Sequence, residues 1–203
     1  MKPDLTINTL VTAAGAFCEK VSAHRHVDLY GVTDGKAIGT YIEHKFHQFL
    51  ESRFTYEKGS PAKGIDFPGD TIQTDIKVTS INQPQSSCPF KNASQKIFGL
   101  GYNLLVFVYS KADNPETRSA KLEFVSCSFL RKDRTADYTT TFRLREMIND
   151  GATKEDVLGY LLDRHIPADE IMLDKIADQI MSRIPNQGYL TISNALQWRL
   201  QYG

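Results

Sequence analysis

The sequence predicts a mixed α/β protein, a central sheet flanked by helices and followed by a helical C-terminal region. Three observations carry this. From Ile72 to Thr79 apolar or β-branched residues alternate with polar ones, the period of a strand with two unlike faces. Leu104 to Tyr109 (Leu-Leu-Val-Phe-Val-Tyr) is a nearly unbroken apolar run, as in a strand buried on both faces. From Thr141 onward the periodicity turns helical.

Taken in order, residues 6–30 begin as a helix, with Leu10, Ala14 and Phe17 on one face. Asp34-Gly35 breaks the chain before a clearer helix over Ile38–Phe54. Residues 64–80 read as a β-hairpin turning at Pro68-Gly69. Asn82 to Ser94, rich in Pro, Ser and Asn, is a loop, and Gln95–Gly101 a short helix or turn. Lys121–Phe129 is a further strand. Thr153-Lys154-Glu155-Asp156 has the form of a helix N-terminus, followed by Val157, Leu158, Leu161 and Leu162. Ile171, Ile176, Ile180 and Ile184 mark another helix, ended by Pro185, and Leu190–Tyr202 reads as one more. Helix, strands, helix, strand, strand, then helices describe one mixed sheet.

The length of 203 residues suits a single domain over 1–203, with its core at about 38–130 and the helical region at about 141–203. Lys plus Arg and Asp plus Glu number 24 each, so net charge neither points to nor excludes a nucleic-acid partner. Cys18, Cys88 and Cys127 form no CxxC pair, which argues against a zinc site or a disulfide framework. No apolar stretch approaches a membrane span and no signal-peptide pattern opens the chain, so a cytoplasmic location with no membrane partner is expected.

The hairpin carries unusual residues for a strand. If it folds back between Asp70 and Thr71, Asp66 lies opposite Asp75, with Cβ atoms about 5 Å apart, and Lys77 shares their face. Two carboxylates this close repel unless a proton or a cation sits between them. Hard oxygen donors suit Mg²⁺. On a wheel advancing about 100° per residue from Ile38, Phe49, Ile42, Phe46, Leu50 and Phe54 fall near 20°, 40°, 80°, 120° and 160°. Glu43 falls near 140°, inside that stripe, where a carboxylate is costly unless paired or metal-bound. The plainer alternatives are a Glu43 at the stripe's edge or paired with a core arginine, and a surface ribbon whose Asp75 and Lys77 are solvated neighbours. His24, His26, His44, His47 and His165 form neither a zinc nor a triad pattern and read as ordinary.

These parts together resemble the PD-(D/E)xK nuclease superfamily, which includes most type II restriction endonucleases. The matching elements are Gly39-x-x-x-Glu43 on a helix, Asp66, Asp75-Ile76-Lys77 on the next strand, then a helix and the buried strand Leu104–Tyr109, so the resemblance covers about 38–110. The sequence departs from the pattern in having Phe67-Pro68 after the first acid, where many members have proline before it. Its second acid is Asp rather than the commoner Glu. Gln95 matches the glutamine of the exonuclease branch, but Gly99 stands where that branch has tyrosine.

The resemblance implies a restriction-endonuclease-like fold and a Mg²⁺-dependent endonuclease, with Mn²⁺ substituting and no organic cofactor. Asp66, Asp75 and the Ile76 carbonyl would hold the metal, with help from Glu43, and Lys77 would orient or activate the attacking water. The products would be 5′-phosphate and 3′-hydroxyl ends. The substrate would be double-stranded DNA, cut at a short specific sequence by a homodimer. Contact candidates are Gln83, Gln85, Ser87, Lys91, Asn92 and Gln95 after the catalytic strand. Arg131, Lys132 and Arg134 form the densest basic cluster, suited to phosphates or simply a solvated turn. Asn194, Gln197 and Arg199 flank Trp198 on the last expected helix, which could enter a groove or form a dimer contact. A repair or junction-resolving nuclease of the same fold, and a catalytically silent DNA-binding module, are the alternatives.

Overall fold

The computed structural model describes residues 2–59, 64–82, 86–87, 90–194 and 197–200, with backbone alone for 86–87, 191–194 and 197–200. The chain forms two compact units, residues 1–86 with 103–130 and residues 87–102 with 131–203.

In the first unit, α1 (Ile7–Ser22) starts at Thr6, whose hydroxyl accepts from Thr9 N–H, and α2 (Gly35–Glu51) starts at Asp34, whose carboxylate accepts from Lys36 and Ala37 N–H. Such caps satisfy amides that have no partner within the helix. The Asp34-Gly35 break is thus the helix start itself, and α2 runs three residues earlier than the apolar stripe suggested. Four strands follow the order β1-β5-β4-β2: β1 (Arg25–His26), β2 (Thr74–Ser80), β4 (Asn103–Asn114) and β5 (Ser119–Leu130). β2 runs parallel to β4, with Ile76 opposite Leu105, whereas β4 and β5 form an antiparallel hairpin. All seven residues from Asn103 to Tyr109 are buried, as their apolar run requires. α1 packs on β5 and α2 on β2. Phe46 stands at the centre of this core, its ring 5.0 Å from Phe17 and 5.1 Å from Phe107.

After β3 (Ser86–Ser87), at the boundary between the units, the second unit holds α3 (Ala93–Phe98), α4 (Tyr138–Asn149), α5 (Lys154–Asp163) and α6 (Glu170–Ser182). Ile97, Leu144, Val157, Leu161, Leu173, Ile176 and Ile180 form its core. Thr153 caps α5 in a reciprocal box with Asp156. The expected helix over Leu190–Tyr202 does not form. That stretch holds β6 (Leu190–Asn194) and β7 (Gln197–Leu200), paired antiparallel with Leu190 opposite Leu200. In Leu190-Thr191-Ile192-Ser193 apolar and polar residues alternate with period 2 and the central two are β-branched, which suits a strand. Leu190 is further fixed by a parallel bridge to Asp137. Asn194, Gln197 and Arg199 therefore lie on strands, not on a helix.

Candidate active site

The site is assembled from three pieces of the first unit. β2 supplies Asp75, Ile76 and Lys77, the limb before it supplies Asp66, and α2 supplies Glu43. The limb pairs with β2 through an antiparallel bridge, Phe67 N–H donating to the Thr74 carbonyl at 2.9 Å and Thr74 N–H to the Phe67 carbonyl at 3.1 Å. The next pair outward is Asp66 with Asp75. The turn itself is closed by Ile72 N–H donating to the Gly69 carbonyl, and Asn103 at the start of β4 holds it, its Nδ2 donating to the Ile72 carbonyl at 2.7 Å. A short hairpin unstable alone is thus fastened to the buried strand beside it.

The Asp66 and Asp75 carboxyls act on each other, which lowers Asp66 and raises Asp75. Burial pushes the Asp75 carboxyl up to about 6; the Lys77 ammonium, 2.6 Å away, pulls down and the neighbouring Asp66 pushes up. Burial works against ionisation of Asp66 as well. Its carboxyl is nevertheless held below the ordinary range by His47, by its interaction with Asp75 and by Ile76 N–H, which donates to Oδ2 at 2.7 Å. Glu43 is raised to about 7, first by burial, then by repulsion from Asp66 and Asp75, with Lys77 and His47 opposing. The three acids and the lysine therefore form one electrostatic group. Environments that drive neighbouring carboxyls apart in this way are a mark of functional sites.

Among the described residues, no three of His, Cys, Asp or Glu stand close enough to form a ready-made metal cage. The donor set still fits Mg²⁺, which is held by one or two carboxylates and keeps several waters. Here two largely buried carboxyls act on each other where a cation would relieve their repulsion.

His47 had no predicted role and does have a place here. It is buried, and its Nε2 lies 3.9 Å from Asp66 Oδ1. Its position one turn beyond Glu43 on α2 was the available signal.

The DNA-contact candidates separate by environment. Gln83 and Gln85 lie outside the described residues, and the side chains of Ser87, Asn194, Gln197 and Arg199 are not described. Asn92 caps α3 by accepting Gln95 N–H, and Gln95 accepts Lys91 N–H while donating to the Leu100 carbonyl. Gly99, at φ +100°, ends α3, and a Cβ there would strike the Lys132 carbonyl, which explains why no tyrosine occupies this position. Lys91, Arg131 and Lys132 are exposed; Arg131 pairs with Asp133 at 3.4 Å. Arg134 donates to the Gln187 carbonyl and lies over the Tyr189 ring.

A mixed sheet flanked by helices, with a helical region after it, matches the restriction-endonuclease-like fold of the PD-(D/E)xK class. The family described as "Type II restriction enzyme NspV" matches residues 4–203. The chain is 52% identical over 199 residues to the Type II restriction enzyme NspV of Nostoc sp. (strain ATCC 29411 / PCC 7524), covering 98% of this chain and 90% of that relative. The chain belongs to this family of type II restriction enzymes. No solved structure matches it. No helix among the described residues is long and apolar enough to cross a membrane.

Proposed function

We propose that the chain hydrolyses phosphodiester bonds of double-stranded DNA at a short specific sequence, using Mg²⁺ held by Asp66, Asp75 and the Ile76 carbonyl. The observation that carries this is the Asp66–Asp75 pair across the Phe67–Thr74 bridge, with Lys77 2.6 Å from Asp75 and Glu43 in the same electrostatic group. Bound Mg²⁺ would polarise the phosphoryl oxygen and lower the pKa of an attacking water. Lys77 places a positive charge where the pentavalent phosphate gathers negative charge, and orients the water. Glu43 adds a carboxylate from α2. Ile76 N–H keeps Asp66 ionised and aimed.

Cleavage by a homodimer fits a palindromic site, since two-fold symmetry in protein and DNA then coincide. Lys91, Arg131 and Lys132 are exposed cations suited to phosphate contacts. Mn²⁺ is expected to replace Mg²⁺.

The test is plasmid digestion with Mg²⁺ and sequencing of the ends. Discrete fragments with 5′-phosphate and 3′-hydroxyl termini are expected. Asp66→Ala and Asp75→Ala should lose cleavage by at least about 10³-fold while still binding DNA in Ca²⁺. Wild-type-like cutting by either variant would sink the metal-site assignment.

A further inference from the structure

Of the five histidines, His47 alone is buried. Its ring packs against two aromatics: it stacks on Tyr56 with centroids 6.1 Å apart and meets Phe67 at 5.1 Å. Tyr56 and Phe67 touch each other at 5.4 Å. Phe67 is the residue after Asp66, so the imidazole is anchored to the same limb whose carboxylate it faces.

The Asp66 charge and the shorter Tyr56 contact together favour a proton on Nε2. His47 Nδ1 lies 3.0 Å from the Tyr56 hydroxyl, which also lies 3.4 Å from the His47 carbonyl. Tyr56 has one proton to give. Donating it along the shorter path, to Nδ1, leaves Nε2 protonated and turned toward Asp66 Oδ1 at 3.9 Å. The other tautomer would aim a lone pair at a carboxylate, which repels. A separation of 3.9 Å exceeds a hydrogen bond, so the imidazole acts on Asp66 as an oriented dipole. On the opposite oxygen, Ile76 N–H donates at 2.7 Å.

We propose that His47 is a positioning residue for Asp66, with Tyr56 selecting the tautomer that presents Nε2–H to the carboxylate. The proposal rests on the reading of Asp66 as a metal ligand. Outer partners of this kind orient a ligating side chain and tune its basicity, and losing one costs about 10- to 100-fold in metal affinity or activity.

Three variants test it. His47→Phe keeps a ring of similar size without a donor, His47→Gln returns an N–H near the place of Nε2, and Tyr56→Phe removes only the hydroxyl. Titration calorimetry of the DNA-free protein with Mn²⁺ should show His47→Phe weakened about 10- to 100-fold, with His47→Gln recovering most of the loss. In cleavage assays the Mg²⁺ requirement of His47→Phe should rise while KM for DNA stays unchanged. Imidazole ¹⁵N shifts of the metal-free protein should report an Nε2–H tautomer for His47, which Tyr56→Phe converts to a mixture. Wild-type Mn²⁺ affinity in both His47→Phe and Tyr56→Phe, or an Nδ1–H tautomer in the wild type, would overturn the proposal. Asp66→Ala separates the two failures. If it still cleaves, the metal-site reading itself is wrong; if it is inactive while the His47 and Tyr56 variants bind Mn²⁺ normally, only the positioning role falls. Should His47→Phe fail to fold, Tyr56→Phe and His47→Gln still decide the matter.

Discussion

Replacing Glu43 by Gln should stabilise the metal-free protein, and only at neutral and alkaline pH. Glu43 sits on α2 beside Asp66 and Asp75, and its carboxyl is raised from 4.5 to about 7, chiefly by burial. A carboxylate that resists ionisation when folded makes the folded state bind more protons than the unfolded chain between those two values. Stability therefore falls as pH rises through that window, and the penalty is complete above it. At about 1.4 kcal/mol per pH unit the penalty is capped near 3 kcal/mol. Solvent reaches part of Glu43, so screening reduces it to about 1–2 kcal/mol. Gln matches the protonated acid in shape and never ionises. In EDTA at pH 8 its melting temperature should exceed the wild type's by about 2–8 °C, using 2–4 °C per kcal/mol for a chain of this size. At pH 5 the two curves should nearly coincide. Saturating Mg²⁺ should narrow the pH 8 gap, because a cation offsets the repulsion that Gln removes. A gain equal at both pH values, or a lower melting temperature for Glu43→Gln at pH 8, would refute the reasoning.

Lys77→Ala should fold normally by circular dichroism yet cleave at least about 100-fold more slowly with Mg²⁺; an unchanged rate would make Lys77 only a counter-charge for Asp75. Gly39→Ala should raise stability by about 0.5–1 kcal/mol in denaturant titration, because a Cβ there would meet Val78 at an ordinary 3.7 Å. Loss of stability would mean that α2 has less room over β2 than its contacts indicate. Gly99→Ala should destabilise the protein by about 2 kcal/mol or more in the same assay, since it combines a φ of +100° with collision against the Lys132 carbonyl; a neutral result would contradict that turn geometry.

What could be read from the sequence follows from how far apart the determining residues lie. The Asp66–Asp75 juxtaposition is set within a dozen residues, although the turn runs over Gly69–Ile72 rather than at Pro68-Gly69 and β2 begins at Thr74 with no alternation of buried and exposed residues. Glu43 could be placed because Ile42, Phe46 and Leu50 around it define the buried face of α2. His47 lies about 180° from Ile38 on the same wheel, just past the apolar stripe. What buries it is Tyr56 and Phe67, which arrive from outside the helix, so α2 itself offers only the four-residue spacing from Glu43 as a signal. The C-terminal stretch is ambiguous in sequence for a related reason. Leu190, Ile192, Trp198 and Leu200 are too few to fix a period, and short apolar runs fit either helix or strand. The choice is made by cross-strand pairing and by the bridge from Leu190 to Asp137, a partner 53 positions away. Gln95 shows the converse limit, in that its amide invites a base-reading role on composition alone. In the fold both ends of that amide are engaged by backbone groups around α3. A polar side chain's chemistry is thus legible in sequence when its partner is supplied by the same local segment, as for Asp66 and Asp75. It is hidden when, as for His47, the partner comes from tertiary closure.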